Sequence, residues 1–433
     1  MSDSHPAPDW IGHAIGWHVY PLGFTGAPIH GDGTGADGAA GAAVAADGHA
    51  PDGARLDHLT GWLDYVQELG LNVLQLGPVF ESATHGYDTL DYFRIDRRLG
   101  DDAAFDRLIA AAHERGIKVL LDGVFNHLSS DAPMFREALE DPDSDAAKLF
   151  DVDRSGDRPT APCFEGHLDL VEFDHRAPET AEFVESVMRH WLERGVDGWR
   201  LDAAYAVDPD FWSGVLASVR ADFPHAFIYG EVIHGDYVDI VGRSTMDSVT
   251  EYELWKATWS SLKEHNFFEL QWTLGRHDTF LESFVPVTFV GNHDVTRIAS
   301  QVGQDKAVLA LVILMTVGGI PLIYYGDEQG YTGVKEDRFG GDDQVRPSFP
   351  ATPAELSTLG AWVHTAHQRL IALRRRHPWL HRGRVTVTSI ANERITYDVT
   401  ADGRTLTIEL EVTGKPSAVV REGENVEFRY PRP

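Results

Sequence analysis

Three acidic residues each end a short apolar run that has the character of a buried strand. Asp202 ends the run GWRLD, Glu231 ends IYGE and Asp294 ends FVGNHD. Two carboxyl groups about 5–5.5 Å apart can break a glycosidic bond with retention of configuration, one as nucleophile and the other as proton donor. Asp202 and Glu231 could reach that separation from adjacent strands, and Asp294 would stabilise the positive charge that develops on the sugar ring. The residue types therefore predict chemistry on a glycoside.

Basic and aromatic side chains near these acids fit the same chemistry. Arg200 lies two residues before Asp202, so both side chains point the same way from a strand, and the guanidinium would hold Asp202 ionised. His127 and His293 could donate hydrogen bonds to the hydroxyls of the attacked sugar. Tyr87 could stack its ring on a sugar face. Together they predict a pocket for one sugar ring.

The loop after the last predicted strand adds a pair, because Asp342 and Arg346 stand four residues apart and could meet at the pocket edge. Each fragment also has an ordinary alternative. Arg200 with Asp202 could be a structural ion pair, and His127 could be a hydrogen-bonded structural histidine. The catalytic interpretation rests on order, since motifs that carry an acid or a histidine follow the third, fourth, fifth and seventh strands in turn.

The elements that must position these residues are eight apolar runs that alternate with amphipathic stretches, which is typical of βα units and a parallel sheet. A closed (β/α)₈ TIM barrel places its reactive groups where the strands end at the C-terminal face. An open doubly wound sheet would show a glycine fingerprint after its first strand, and none follows Tyr20. We therefore predict the barrel, an α/β fold, with strands at 14–20, 72–76, 118–122, 197–202, 227–231, 248–252, 287–290 and 320–325.

Changes in composition divide the chain into four parts. We predict the first part of the catalytic barrel at 1–127, a short polar excursion domain after strand 3 at 128–177, the rest of the barrel at 178–376, and a small C-terminal antiparallel β-sandwich at 377–433, with strands at 385–390, 394–399 and 405–411. Helices are predicted at 57–69, 101–115, 179–194 and 353–376. The Gly/Ala/Asp-rich segment 31–53 is predicted to be a mobile loop.

Bulk composition limits the partners and the compartment. The net charge of −30 argues against nucleic acid or an anionic membrane and is compatible with a neutral sugar. The longest apolar run, 308–317, is too short for a membrane span and predicts a buried helix. Cys163 is the only cysteine, and residues 1–10 show no secretory signal, so we expect a cytoplasmic protein. The expected partner is a small oligosaccharide, and the chain would be a monomer or a homodimer.

The ordered motifs resemble those of the α-amylase superfamily, glycoside hydrolase family 13, from Trp17 to the C-terminal β-domain. Segments 122–127, 198–202, 230–231 and 289–294 resemble its four conserved regions. The resemblance implies that Asp202 is the nucleophile, Glu231 the general acid/base and Asp294 the transition-state stabiliser. It also implies that the subsite for the attacked glucose is lined by Tyr87, His127, Arg200, His293, Asp342 and Arg346.

Details of the resemblance bear on the branch and on metals. The sequence AAYA after Asp202 lacks the Lys-His pair of typical starch-degrading α-amylases, whereas EVIH from Glu231 is closer to the neopullulanase and cyclomaltodextrinase branch. That branch's N-terminal domain is absent from these residues. No cofactor is implied for catalysis. Asn126 matches a calcium ligand of many α-amylases, which leaves a structural Ca²⁺ open.

The resulting prediction is retaining hydrolysis of short α-glucans or related α-glucosides through a covalent glucosyl–aspartate intermediate. Two alternatives stay open. A transglycosylase or isomerase would use the same three carboxylates and pass the glucosyl unit to another sugar. A non-catalytic carbohydrate-binding homologue is disfavoured, because such proteins tend to lose the carboxylates that this chain retains. Linkage preference and endo or exo action are not predicted.

Overall fold

A computed structural model of the chain describes residues 7–29, 55–156, 158–338 and 340–431. The segment 31–53, predicted to be a mobile loop, lies outside the described residues. In chain order the strands are β1 Gly16–Val19, β2 Val73–Leu76, β3 Phe80–Ser82, β4 Thr89–Ile95, β5 Lys118–Gly123, β6 His127–Ser129, β7 Leu170–Glu172, β8 Gly198–Leu201, β9 Phe227–Gly230, β10 Ser248–Val249, β11 Val287–Phe289, β12 Ile320–Tyr324, β13 Arg384–Ala391, β14 Arg394–Ala401, β15 Arg404–Glu411, β16 Ser417–Glu422 and β17 Asn425–Tyr430.

The central sheet is a parallel barrel, as predicted. Across the part of the chain that the structure describes, its eight strands run in the order β10-β9-β8-β5-β2-β1-β12-β11. A parallel bridge between Thr250 and Val287 joins the two outer strands and closes the ring. Each strand is buried on both sides because helices cover the outside and side chains fill the inside. The fold class is therefore confirmed.

Two sets of apolar side chains explain why these short runs become barrel strands. Leu120, Phe227 and Leu322 belong to a cluster that fills the lumen. Trp199 and other outward-facing residues join the larger cluster under the helices. The first residue of β8, Gly198, has no room for a side chain, because a Cβ there would lie 1.9 Å from the carbonyl oxygen of Phe227. Strand β8 can therefore approach β9 closely, and both carry site residues at their ends.

The helices are α1 Pro21–Phe24, α2 Arg55–Thr60, α3 Leu63–Leu69, α4 Asp102–Glu114, α5 Pro133–Glu140, α6 Pro178–Glu193, α7 Pro209–Asp222, α8 Tyr237–Ser244, α9 Tyr252–Glu264, α10 Phe268–Phe280, α11 Ile298–Val302, α12 Gln304–Thr316 and α13 Ala361–Arg376. The apolar run 308–317 does form a buried helix, α12. In the described ranges, no helix combines the length and the apolar character that a bilayer crossing requires.

Two predicted helices have different limits. The helix predicted at 57–69 is divided into α2 and α3 by a turn at Gly61 and Trp62. The last helix begins at Ala361 rather than at residue 353, because short 3₁₀ turns precede it. Gly360, between these turns and α13, has no room for a side chain, since a Cβ would lie 2.2 Å from the Gln329 carbonyl oxygen.

The excursion leaves and re-enters the barrel through a pair of short antiparallel strands, β6 and β7. His127 pairs with Glu172 and Ser129 pairs with Leu170, so the two ends of the excursion lie side by side where it joins the barrel. A second hairpin, β3 and β4, follows β2 in a region for which no strand was predicted. The domain boundaries at 127/128, 177/178 and 376/377 stay predictions.

The C-terminal strands form one antiparallel sheet in the order β13-β14-β15-β16-β17. The predicted sandwich would need a second sheet opposite it. Instead, Ile395, Ile408 and Phe428 join the barrel's helical core, and Tyr397 hydrogen-bonds Thr316 of α12 at 3.0 Å. The buried face of this sheet is therefore covered by helices. Strands β16 and β17 were not predicted.

Candidate active site

Three neighbouring strands of the barrel, β5, β8 and β9, deliver polar side chains to one rim. Asp122 lies near the end of β5 and pairs in register with Arg200 of β8. Asp202 directly follows β8 and Glu231 directly follows β9. Because parallel strands end at the same face of a barrel, these side chains converge although they lie far apart in sequence.

The centre of the group is the guanidinium of Arg200, which is buried and contacts three carboxylates. Its Nη1 lies 2.6 Å from both carboxylate oxygens of Asp122 and 3.1 Å from Oδ1 of Asp202. Its Nη2 lies 2.7 Å from Oε1 of Glu231. The expected Arg200–Asp202 contact is present, and the same cation also bridges Asp202 to Glu231.

Burial and crowded negative charge govern protonation here. Burial raises the pKa of Asp202 well above the ordinary carboxyl value, the charge of Glu231 adds to the increase, and Arg200 opposes it. Burial likewise raises the pKa of Asp122, against the attraction of Arg200. Three carboxylates around one guanidinium leave excess negative charge in a dry site, which favours one bound proton shared within the group. The attraction of Arg200 lowers the pKa of Asp202 but does not outweigh burial and the charge of Glu231, contrary to the sequence prediction that the guanidinium holds Asp202 ionised.

Glu231 is fixed by donors other than Arg200. The backbone N–H of Ala203 donates to its Oε2 at 3.1 Å, and the hydroxyl of Tyr252 donates to its Oε1 at 3.0 Å. Ala203 follows Asp202 in a left-handed conformation, φ 46°, which is uncommon for a residue with a side chain. Asn292 in turn donates to the Tyr252 hydroxyl at 2.9 Å. The turn after β8 and the start of α9 thus set the orientation of Glu231.

Asp294 lies on the same rim after β11, between two basic side chains. Nε2 of His293 lies 2.9 Å from its Oδ2, and Nη2 of Arg346 donates to its Oδ1 at 2.9 Å. Burial alone would raise the pKa of Asp294, but the charges of His293 and Arg346 hold it well below the ordinary value. About one third of the Asp294 side chain is exposed. It therefore presents a persistent negative charge to the rim.

Arg346 also meets the residue with which it was predicted to pair. Its Nη2 lies 3.0 Å from Oδ2 of Asp342, and Lys335 Nζ lies 3.4 Å from the other oxygen of Asp342. The Arg346 guanidinium lies over the ring of Tyr20 at 4.8 Å. The pair thus flanks Asp294 at the edge of the site.

Tyr87 is placed among the acids. Its hydroxyl donates to Oδ2 of Asp122 at 3.0 Å and also contacts Nε2 of His293. Its ring lies parallel to that of His293, with the centroids 5.1 Å apart. The hydroxyl of the ring that was predicted to stack on sugar is therefore held by an acid and a histidine.

His127 has both ring nitrogens engaged. Nε2 lies 3.1 Å from the carbonyl oxygen of Tyr87, and the amide of Asn126 donates to Nδ1 at 3.1 Å. Burial lowers the pKa of His127 to about 4, so the ring is neutral near pH 7. A sugar hydroxyl that binds His127 would have to replace one of these two hydrogen bonds.

The excursion domain reaches the same rim. The ring of Phe164 stacks on His127, with centroids 4.6 Å apart. Its neighbour Glu165 accepts a hydrogen bond of 2.9 Å from the hydroxyl of Tyr205, which follows Asp202 by three residues. The excursion domain therefore contacts the loops after β5 and β8.

Sequence reasoning missed three residues of the site. Asp122 was noted as the end of a strand but not as part of the acidic group. Tyr252 and Asn292 form the chain of hydrogen bonds to Glu231. Asn292 stands in the FVGNHD motif and could have been included, whereas nothing in the sequence around Tyr252 distinguishes it from a packing tyrosine.

The structural Ca²⁺ that Asn126 leaves open stays a prediction. Ca²⁺ takes oxygen ligands, so Asn126 would bind it through Oδ1, whereas the hydrogen bond to Nδ1 of His127 is made by Nδ2. Among the residues that the structure describes, the one group of three metal-ligand side chains joins His377, which follows α13, to Glu422 and Glu427 of the C-terminal sheet. Its two carboxylates are paired with arginines, Arg404 and Arg376.

The chain is similar to known proteins over most of its length. Residues 19–352 match the model of the family described as alpha amylase, catalytic domain. The chain is 30% identical over 427 residues to a maltogenic alpha-amylase of Bacillus acidopullulyticus, covering 91% of this chain and 68% of that protein. It is 29% identical over 418 residues to a cyclomaltodextrinase of Geobacillus thermopakistaniensis, covering 90% and 67%.

Similarity extends to solved structures. The cyclic alpha-maltosyl-(1→6)-maltose hydrolase of Arthrobacter globiformis superposes with a TM-score of 0.79 at 25% identity, over 94% of this chain and 92% of that one. The match spans both the barrel and the C-terminal sheet. The chain therefore belongs to the α-amylase family of α-glucan hydrolases, glycoside hydrolase family 13, and is an α-glycosidase of that family.

Proposed function

We propose that this protein hydrolyses α-glucosidic bonds in short α-glucans with retention of configuration, through a covalent glucosyl–aspartate intermediate. One observation carries the proposal: a single buried guanidinium, that of Arg200, bridges Asp202 at 3.1 Å and Glu231 at 2.7 Å. The retaining mechanism requires two carboxyl groups only about 5–5.5 Å apart, and a guanidinium shared by Asp202 and Glu231 keeps them close to each other.

In the first step Asp202 is the nucleophile. A carboxylate oxygen of Asp202 bonds to the anomeric carbon as the bond from that carbon to the leaving oxygen breaks. Glu231 gives its proton to the leaving oxygen, so the departing sugar leaves as an alcohol. The shared proton of the acidic group must therefore lie on Glu231 when substrate is bound, while Arg200 stabilises the charge of Asp202.

In the second step water completes the reaction. Glu231, now ionised, accepts a proton from water, and the water oxygen bonds to the anomeric carbon as the ester bond to Asp202 breaks. Asp294 stabilises the positive charge on the ring in both transition states, and its low pKa supports this role. Tyr87, His127, Arg200, His293, Asp342 and Arg346 are proposed to line the subsite.

The proposal of short α-glucans rests on the relatives and on the excursion domain. The relatives are named for cyclomaltodextrins, maltose products and cyclic maltosyl-maltose. The contacts of Phe164 with His127 and of Glu165 with Tyr205 bring the excursion domain over the rim and narrow the approach on that side. We further propose that the protein acts in the cytoplasm as a monomer or homodimer and needs no cofactor for catalysis.

The test is the anomeric form of the first product. Purified protein is incubated with maltotriose, isomaltose, pullulan, cyclodextrin, sucrose and trehalose, and each reaction is followed by proton NMR within the first turnovers. We expect the sugar unit whose anomeric carbon is attacked to appear first as the α-anomer, before mutarotation, and cyclodextrin, sucrose and trehalose report this directly because they have no reducing end of their own. Initial release of that unit as the β-anomer would contradict retention, and no release from any substrate would contradict hydrolysis.

The same experiment separates hydrolysis from sugar transfer. At high substrate concentration a transglycosylase or isomerase would convert the donor into longer or rearranged saccharides, with little free sugar. If such products dominate at every substrate concentration, transfer rather than hydrolysis is the main activity.

A further inference from the structure

One fully buried guanidinium close to the rim has no role in the steps above. Arg297 follows Asp294 by three residues and is 0% exposed. It donates to the carbonyl oxygens of Tyr325 at 2.9 Å and Val345 at 3.0 Å, and to Oδ1 of Asp327 at 2.9 Å. Burying a charged group is unfavourable unless its partners are well placed, so its donors fix the geometry of several segments at once.

The guanidinium of Arg297 also contacts two rings. It lies 4.5 Å from the ring of Tyr324 and 5.4 Å from that of Tyr325. The hydroxyl of Tyr324 donates to the same Val345 carbonyl oxygen at 2.9 Å. The peptide that precedes Arg346 is therefore held by two donors from below the rim.

The residue after Val345 is Arg346, which contacts Asp294 directly. Its Nε donates to the carbonyl oxygen of His293 at 3.0 Å and its Nη2 donates to Asp294 at 2.9 Å. Arg297 thus connects the loop after β11, the end of β12 and the loop that carries Arg346. Arg297 itself makes no contact with an acid of the proposed catalytic group in the parts of the chain that are described.

We propose that Arg297 is a positioning residue, which acts through Val345 to hold Arg346 against Asp294. This inference rests on the proposed function, because it assigns Asp294 to transition-state stabilisation. A displacement of about 1 Å in a charged contact can reduce a rate by about 10²-fold. Loss of Arg297 should therefore lower kcat much more than it raises KM.

The experiment is a double-mutant cycle in the full chain, with maltotriose as substrate. We expect R297M to lower kcat by about 10- to 100-fold, with KM changed less than about 3-fold. R346M should lower kcat at least as much, and the double variant R297M/R346M should match R346M alone, since both changes remove the same contact. Additive losses, or a folded R297M with unchanged kcat, would overturn the inference.

Two further variants separate positioning from folding. R220M removes another buried arginine, one that pairs with Asp247 at 3.0 Å beside the start of β10, away from the rim. It should destabilise the fold and leave kcat of the folded enzyme unchanged.

Y324F removes only the second donor to Val345 and keeps the buried charge, so it remains informative if R297M does not fold. It should lower kcat by about 2- to 5-fold, and unchanged kcat in Y324F would then count against the inference.

A parallel measurement on D294N distinguishes the two levels of the argument. If D294N is as active as the unmodified enzyme, the proposed role of Asp294 fails, whatever the effect of R297M. If D294N is inactive while R297M and Y324F are fully active, only the positioning role of Arg297 fails.

Discussion

Both ends of the barrel contain a buried arginine, and the two have opposite surroundings. At the C-terminal rim, Arg200 contacts the carboxylates of Asp122, Asp202 and Glu231. At the other end, Arg374 donates to the backbone carbonyl oxygens of residues 315, 317 and 319, at 2.6 to 3.0 Å. Arg200 thus binds charged side chains, whereas Arg374 binds backbone carbonyl groups.

The difference follows from what each end must do. The carbonyl groups that Arg374 binds lie where α12 ends and β12 is about to begin, and such groups are otherwise left without donors. Satisfying them stabilises the fold and creates no reactive charge. At the rim, Arg200 partly neutralises the excess carboxylates. The charge that remains shifts the pKa values of these groups, and shifted pKa values are typical of catalytic sites. Variants at the two ends should therefore separate activity from stability.

The largest effect is expected from D202A. Removal of the nucleophile should lower kcat for maltotriose by about 10⁴-fold or more, because no other carboxylate can form the covalent intermediate. Steady-state kinetics would measure it, with D64A, a change at an exposed residue of α3, as the control. Near-normal activity in D202A would overturn the assignment.

The next effect concerns the proton donor. E231Q should lower kcat for malto-oligosaccharides by about 10²- to 10⁴-fold, because the leaving oxygen receives no proton. The loss should be much smaller with a nitrophenyl glucoside, whose leaving group departs without protonation. Equal losses with both substrates would show that Glu231 is not the acid.

A change of the buried arginine at the opposite end of the barrel, Arg374, should affect stability alone. R374M leaves three buried carbonyl oxygens without a donor and should lower the free energy of unfolding by about 3 kcal/mol. Urea denaturation would measure this change, and kcat of the folded protein should stay unchanged. A large loss of kcat in folded R374M would mean that the two ends are coupled.

The smallest effect tests the charge at the rim. The negative charge of Asp122 is among the causes that raise the pKa of Asp202. D122N removes that charge and frees Arg200 for Asp202, so the pKa of Asp202 should fall. Because the nucleophile must be ionised, the acid limb of the kcat/KM profile should move to lower pH, by less than about 1 unit. A shift to higher pH would contradict the electrostatic description of the group.

Much of the barrel could be predicted because its strands are short apolar runs. The predicted strand at 227–231 becomes Phe227–Gly230, and the one at 320–325 becomes Ile320–Tyr324. The strands β16 and β17 were missed because SAVVRE and NVEFRY are short and partly exposed. Helix limits were less predictable, since the 3₁₀ turns before α13 and the close approach of Gly360 to the Gln329 carbonyl depend on distant parts of the chain.

The candidate site likewise contains residues that the sequence could identify and contacts that it could not. The acids at 202, 231 and 294 could be selected because each ends an apolar run, and a barrel places such ends together. The sequence also indicated that Arg200 would point with Asp202. It could not indicate that Arg200 would reach Glu231 and Asp122 as well, since these contacts cross between strands.

What the sequence determined by itself is local: which runs are apolar enough to become buried strands, and which charged residues end them. That information is carried by residue type and spacing, and it was sufficient for the fold class and the family resemblance. Only the tertiary structure decided which of four carboxylates share one guanidinium, that Tyr252 holds Glu231, and that Arg297 lies beneath Arg346. Apart from the contact of Arg200 with Asp202, these contacts join residues 21 to 78 positions apart, and protonation depends on burial and on the sum of nearby charges. Neither quantity is a property of a segment.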